Sequence, residues 1–456
     1  MMLLAKLKLD SFINPHNSMR LIQRLVPKHP LKLSCGLFTH HGRTSTGPFL
    51  KPSHLVLEVR AYSVNTFEKA KVVCDFTPTE LNLRFSEGNR ELIKGVNFAW
   101  LRDNCSCESC LHPLTKQKII NPETLIEDIK PQSYSISNNK LTIIWPEVTR
   151  GATLQHPSEY SLDWILNSLH TPIKQTNLSR DPFDARFPIS VWKGHELSKQ
   201  DIFYDFKDYM KNETVFNNAL YTLNKHGICF LSGVECDQKS VTRVACKIGP
   251  IYDTFYGMDW DVKNDPKASN IAYTSLDLGL HMDLLYFESP PGIQLLHCLE
   301  NEVEGGDSIF VDGLTAMETL KKESPEHYAT LLRVPVTFQY SNDGHHLEYR
   351  RSTIFEDQLG QHHLFYSPPF MGPLDIHKLP AGEVAKFYSG FRSLAQIINR
   401  SDQVYKTRLL PGDLVLFNNR RVLHGRTAFY PLNRMRHFKG TYVGMDSFKD
   451  RLRTML

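Results

Sequence analysis

No stretch of this 456-residue sequence approaches eighteen consecutive apolar residues, the length at which a segment reads as a membrane-crossing helix, so no membrane span is expected. Charge of one sign is also scarce. Fifty-three basic against forty-nine acidic residues leave a formal net charge of +4, too small an excess to argue for a nucleic-acid partner. Internal repeats and long low-complexity tracts are missing as well, which argues against solenoids and arrays. No long apolar core with a small-residue cleavage site is found near the N-terminus, so secretion is not expected. The nine cysteines, an odd number, therefore read as mostly reduced thiols.

Acids are rarest at the N-terminus, where Lys6, Lys8, Arg20, Arg24, Lys28, Lys32, Arg43 and Lys51 face Asp10 alone. Basic, hydroxyl-bearing and acid-poor describes a mitochondrial transit peptide, with Met19 as a second candidate start. An ordinary disordered tail in a cytoplasmic protein is the plain alternative for residues 1–53.

What is present is an ordinary globular composition, 41% apolar and 22% charged, on a chain long enough for two domains. "HLVLEVRAY", "LNLRFSEG" and "KLTIIWPEV" read as short strands, which predicts a small β-rich domain over residues 54–165. Leu162, Ile165, Leu166 and Leu169 recur at helical spacing, and "RDPFDARFP" marks an irregular linker within 166–194. From 195 to 456, a few amphipathic helices alternate with many short strands, among them "GICFLSG", "IQLLHCL", "SIFVDG", "DLVLFNNRR" and "HFKGTYVGM". Many short strands without regular β-α-β alternation predict a mainly β, α+β chain whose larger domain is a double-sheet jelly roll, with parallel topology not expected.

One of those segments, "YTSLDLGLHMDLLYF", carries a histidine and an aspartate two residues apart in an otherwise apolar run. Read as a strand, it would point His281 and Asp283 to one face. A buried carboxylate needs a partner, so a structural ion pair is one reading. The other is a metal site completed from a distant strand, since non-haem iron(II) in oxygenases takes two histidines and one carboxylate on one facet. His424 in "GDLVLFNNRRVLHGRTAF" can supply the third ligand. Arg436 follows twelve residues later, and a guanidinium there suits the distal carboxylate of 2-oxoglutarate, which chelates iron through its keto-acid end. Further upstream, "CSCESC" places Cys105, Cys107 and Cys110 close enough to converge on one ion, although structural zinc wants a fourth ligand.

"WLRDNCSCESC", "FYGMDW", "NIAYT", "LHMD", "PPGIQLLHC", "GGDSIFVDG" and "NNRRVLHGR" occur in one order, and from about residue 90 to the end the chain resembles the γ-butyrobetaine dioxygenase and trimethyllysine dioxygenase family of the carnitine pathway. The resemblance implies a double-stranded β-helix (jelly-roll) catalytic domain requiring Fe(II), 2-oxoglutarate and O2, with ascorbate a candidate reductant, and a small N-terminal zinc domain. Carried over residue by residue, His281, Asp283 and His424 match the iron ligands and Arg436 the 2-oxoglutarate clamp. His156 stands where the family supplies the fourth zinc ligand. Tyr256, Trp260, Tyr273 and Tyr442 match an aromatic cage for a trimethylammonium group, which has no N–H to donate and is bound by ring faces. The family also implies a homodimer.

Met282 and the following "LLYF" depart from the family's motif. Residue 282 would point away from the metal, so the departure bears on the substrate side rather than on the ligands. Asn270 decides between the two substrates of the family: the butyrobetaine enzymes carry asparagine at the matching position, which can donate to a carboxylate, and the trimethyllysine enzymes carry aspartate, which suits an ammonium. The expectation is hydroxylation of γ-butyrobetaine to L-carnitine. The alternatives are trimethyllysine hydroxylation, which a transit peptide would favour, and a catalytically inactive trimethylammonium-binding protein.

Overall fold

The computed structural model describes residues 55–62, 67–87, 90–119, 128–149, 152–169, 187–263, 274–358, 360–430 and 434–455. The basic N-terminal segment, Asn270 and Tyr273 lie outside the described residues. Two compact units divide the chain, Met1–His170 and Thr171–Leu456.

In the first unit, an antiparallel four-stranded sheet runs in chain order through Leu55–Tyr62, Phe67–Phe76, Glu80–Glu87 and Arg90–Asn97. Asn97 then starts the short helix Phe98–Asp103, its side chain accepting the Ala99 and Trp100 amides that the helix leaves unpaired. A second sheet pairs Ser133–Ser137, Lys140–Thr149 and Ala152–Ser161. Its first hairpin turns at Asn138 and Asn139, both left-handed, which is the two-residue turn whose twist matches the strands. Period-two burial is clear in the middle strand, where Leu141, Ile143 and Trp145 are fully buried and meet Leu81, Leu83 and Leu101 in one core. The helix Leu162–Leu169 closes the unit.

The second unit is a double-stranded β-helix. Its larger sheet has the strand order Asp259–Lys263, Arg436–Val443, Ile293–Asn301, Leu414–Asn418, Ile228–Ser232, Phe203–Asp205. The smaller sheet runs Leu278–His281, Val422–Arg426, Ser308–Asp312, Tyr405–Thr407. Alternation along the strands divides the core. Val415 and Phe417 pack with Phe230, Phe310 and Phe438, whereas Leu414 and Leu416 join Phe216, Leu220, Val241 and Phe448 of the helices Glu213–His226, Ser240–Ile248 and Met445–Thr454. Both faces are buried, and so the strands read as continuous apolar runs.

Two local features differ from the sequence expectation. Phe203–Asp205 pairs in parallel with Ile228–Ser232, because the helices Phe206–Lys211 and Glu213–His226 form a crossover between them. The strand expected to carry both His281 and Asp283 ends at His281, and Asp283 lies in the turn that follows. Leu284 there adopts a left-handed φ of 56°, unusual for a leucine, which breaks the ladder directly after the histidine.

Candidate metal centres and substrate pocket

His281 is the last residue of its strand and stands directly across from His424 in Val422–Arg426. Directly opposed residues share a face, and the two imidazoles lie 4.3 Å apart between ring centroids. The Gly279 carbonyl lies 2.8 Å from His281 Nδ1 and can only accept, so Nδ1 carries a proton and Nε2 is the ring nitrogen turned to the carboxylate. That Nε2 lies 3.2 Å from Asp283 Oδ1, and His424 Nε2 lies 3.8 Å from Asp283 Oδ2.

Although Asp283 has left the strand, it is not loosely placed. Asn419 supplies what the ladder no longer does, accepting the Asp283 amide at 2.8 Å and donating Nδ2 to its carbonyl at 3.0 Å. The carboxylate is fixed through one oxygen, Oδ2, which accepts Tyr442 Oη at 2.7 Å and Gln294 Nε2 at 2.8 Å. Oδ1 is thereby turned toward His281. Burial alone would raise the Asp283 carboxyl, but His424, His281 and the Tyr442 hydroxyl outweigh it and hold it well below the ordinary carboxylate range. His424 is pushed down to about 3 by burial and then by His281, so its imidazole can meet a cation as a neutral donor. The two histidine side chains are 4% and 9% exposed against 20% for Asp283, so the group is reached from one side. Cis ligands at about 2.1 Å from a first-row ion stand roughly 3 Å apart, which the His281–Asp283 separation matches.

Arg436 begins the strand Arg436–Val443 and is buried, with its guanidinium carbon 4.1 Å over the Phe438 ring and 5.5 Å from that of Phe429. Its side chain forms no ion pair or hydrogen bond among the described residues, and its Nε is wholly enclosed. Burial first, and then Arg426, push this guanidinium down to about 9. Arg421, by contrast, is equally buried and spends its charge on Asp312 at 2.8 Å. A buried cation left without an anion is costly unless a ligand supplies one, and a dicarboxylate such as 2-oxoglutarate fits.

Around this centre Trp260 leans on Tyr442 with ring centroids 4.3 Å apart, and the Tyr256 hydroxyl lies 3.3 Å from that of Tyr286. Tyr286 stacks on Tyr340 at 5.5 Å, and Phe255 fills the angle between Tyr256 and Tyr340. Of the four residues matched to an aromatic cage, Tyr442 touches Asp283, Trp260 touches Tyr442 and Tyr256 meets Tyr286, while Tyr273 lies outside the described residues. Sequence reasoning missed Asn419, Gln294, Tyr286 and Tyr340. A polar amide inside the apolar run "IQLL" was the one available signal, for Gln294.

In the first unit Cys105, Cys107 and Cys110 follow the helix Phe98–Asp103, and His156 lies across from Trp145 in the adjoining hairpin. His156 Nε2 is 3.4, 3.5 and 3.4 Å from the three sulfurs. Zinc–sulfur and zinc–nitrogen bonds of about 2.3 and 2.05 Å at a tetrahedral angle put sulfur and nitrogen about 3.6 Å apart. The three sulfurs thus stand at close to the distances from His156 Nε2 that a shared zinc would set, and all four atoms lie within 4.8 Å of one another. Arg102 donates to Cys110 Sγ at 3.3 Å, where it would offset part of the charge of a metal-bound thiolate. Burial pushes Cys110 up to about 12, whereas Cys107, bonded by its two neighbouring cysteines, is lowered. The eight cysteines among the described residues are all unpaired.

The family model described as taurine catabolism dioxygenase TauD, TfdA family matches residues 198–442, and that of the γ-butyrobetaine hydroxylase-like N-terminal region matches residues 74–165. The chain is 36% identical to dioxygenase str8 of Strobilurus tenacellus, covering 78% of this chain and 84% of that protein. It is 30% identical to human gamma-butyrobetaine dioxygenase, covering 78% and 90%. It is also 30% identical to trimethyllysine dioxygenase of Meyerozyma guilliermondii, covering 77% and 88%. With one match in each of the two units, the chain belongs to the TauD, TfdA family of iron(II)- and 2-oxoglutarate-dependent dioxygenases, in its γ-butyrobetaine hydroxylase-like branch.

Proposed function

We propose that this enzyme hydroxylates γ-butyrobetaine to L-carnitine, with iron held by His281, Asp283 and His424. The observation that carries the reading is the Tyr442 hydroxyl on Asp283 with its ring against Trp260, which joins a cation-binding aromatic surface to the metal-ligating carboxylate. With O2 and 2-oxoglutarate, bound iron supplies an oxidation in which one oxygen atom enters succinate as carbon dioxide leaves and the other is inserted into a substrate C–H bond.

The chain's own part is placement. Arg436 pairs with the distal carboxylate of 2-oxoglutarate and relieves its own buried charge. Tyr256, Trp260 and Tyr442, with Tyr273, take the trimethylammonium group by their ring faces, at a distance from the metal that selects the carbon oxidised. Asn270 donates to the substrate carboxylate. Apolar surroundings of Met282, Leu284 and Leu285 behind the metal-ligating turn exclude water from it. Cys105, Cys107, Cys110 and His156 close a four-ligand zinc shell that supports the small unit and has no open position for chemistry. A mitochondrial location, drawn from the basic N-terminal segment, a homodimer and ascorbate as reductant belong to the same reading.

The equal identity to a trimethyllysine dioxygenase makes that substrate the comparison to run. Succinate release is measured with γ-butyrobetaine, trimethyllysine and taurine, for the wild type and for Asn270→Asp. The wild type should prefer γ-butyrobetaine. The variant should lose roughly 30- to 150-fold in kcat/KM for it, the equivalent of about 2–3 kcal/mol, and lose far less for trimethyllysine. Faster wild-type turnover of trimethyllysine would reassign the substrate.

A further inference from the structure

We infer that Gly440, by having no side chain, sets where the Trp260 indole lies and so fixes the distance between the cation-binding rings and the metal-ligating group. The inference rests on the substrate reading above.

Trp260 and Gly440 are directly opposed on the paired strands Asp259–Lys263 and Arg436–Val443. Side chains at such positions ordinarily stand beside one another, with Cβ atoms about 4.5–5.5 Å apart. Here a Cβ on Gly440 would lie 2.5 Å from Trp260 Cε2, 2.6 Å from Cζ2 and 2.8 Å from Nε1. The indole lies across the glycine and occupies the volume that any side chain there would need. From that position it reaches the diagonal neighbour Tyr442 at 4.3 Å, tilted by 31°. Tyr442 in turn donates to Asp283 at 2.7 Å.

Two comparisons within the molecule separate this glycine from those needed by the backbone. Gly440 is not among the glycines with left-handed φ, so its conformation is open to any residue. Gly292, Gly305 and Gly425 press against backbone atoms of neighbouring segments, whereas all three nearest contacts of a Cβ at 440 belong to the indole. Even-numbered positions 436 to 442 share one face of the strand. Arg436, Phe438 and Tyr442 fill three of them, and Trp260 fills the fourth from across the sheet. An alanine at 440 would lift the indole away from that face. A displacement of about 1 Å between a held substrate and the reacting centre can cost on the order of a hundredfold in rate.

The test is a double-mutant cycle with Gly440→Ala and Trp260→Leu, read as kcat/KM for γ-butyrobetaine. Leucine lacks the atoms that a Cβ at 440 would meet. In the wild-type background Gly440→Ala should lower kcat/KM by about tenfold or more, leaving KM for 2-oxoglutarate unchanged and raising the share of 2-oxoglutarate consumed without hydroxylated product. In the Trp260→Leu background the same change should cost no more than about twofold. Equal losses in both backgrounds, or no loss in the first, would overturn the inference. Should Gly440→Ala melt well below the wild type, adding Trp260→Leu must restore the melting temperature, and failure to do so also overturns it. Near-ultraviolet circular dichroism keeps this apart from the substrate assignment. If wild type does not turn over γ-butyrobetaine, Gly440→Ala should still alter the band that Trp260→Leu removes, and an unaltered band would reject the role of Gly440 by itself.

Discussion

Tyr442 donates its hydroxyl to Asp283 Oδ2 at 2.7 Å, and that oxygen also accepts Gln294, leaving Oδ1 beside His281 Nε2. The same tyrosine therefore orients a carboxylate that can ligate metal and presents a ring to Trp260. Tyr442→Phe separates the two roles. Groups that orient a metal ligand typically contribute 10- to 100-fold in metal affinity, so anaerobic iron titration should show a loss of about that size. KM for the trimethylammonium substrate should change less, because the ring remains. A variant that keeps its iron affinity but loses substrate would show the hydroxyl to be unimportant for the carboxylate.

His281→Ala, Asp283→Ala and His424→Ala should each abolish turnover while zinc stays near one per chain, since the Cys105, Cys107, Cys110 and His156 group belongs to the other unit. Cys107→Ser should do the reverse to metal content, releasing zinc and lowering the melting temperature. Metal analysis alongside succinate assays checks both. More than about a tenth of wild-type activity in all three iron-site variants would remove the assignment.

Arg436→Gln should raise KM for 2-oxoglutarate roughly 10- to 150-fold, the effect of losing a charge-assisted contact of about 1.5–3 kcal/mol. KM for γ-butyrobetaine should move little. Unchanged 2-oxoglutarate affinity would mean that the buried guanidinium serves another anion.

Two histidines outside both metal groups predict how stability varies with pH. Burial pushes His297 down to about 4, and burial with Lys225 and Arg421 does the same to His226. Each folded pKa lies below the unfolded value near 6.5, so between these limits the unfolded chain binds protons that the folded chain refuses. Stability from this source is complete above about pH 6.5 and is lost as pH falls toward 4, by a few kcal/mol for the pair. Urea unfolding midpoints of the metal-loaded protein at pH 7.5 and 5.5 measure it, and His297→Leu should flatten the difference. An equal slope in that variant would place the acid sensitivity elsewhere.

Several residues that could ligate metal were legible from chemistry and close spacing, whereas His424 and His156 stand far along the chain and were matched by motif order and by the resemblance. An H-x-D pair in an apolar run, three cysteines within six residues and an arginine twelve residues past a histidine are unusual whatever surrounds them. Short strands of the jelly roll were legible from period and turn residues. What these signals share is locality, since each lies within a short stretch of the chain, unlike the assembly of His424 with His281 and Asp283.

The arrangement that makes the group work was decided by tertiary structure, because it depends on register between strands far apart in sequence. That Asp283 lies past the end of its strand, carried by Asn419 from 136 residues away, follows from the left-handed turn at Leu284 and the packing of the turn around Asn419. Tyr442 reads from sequence as a cage ring, and only the pairing of Arg436–Val443 with Ile293–Asn301, which sets Tyr442 opposite Gln294, brings both side chains onto one carboxylate oxygen. Gly440 has no side chain from which a role could be read, and its meaning appears once Trp260 lies across it. Sequence by itself determined which atoms could bind metal. Folding decided which lone pairs and ring faces those atoms present, because a one-residue change of register turns every side chain of a strand to its other face.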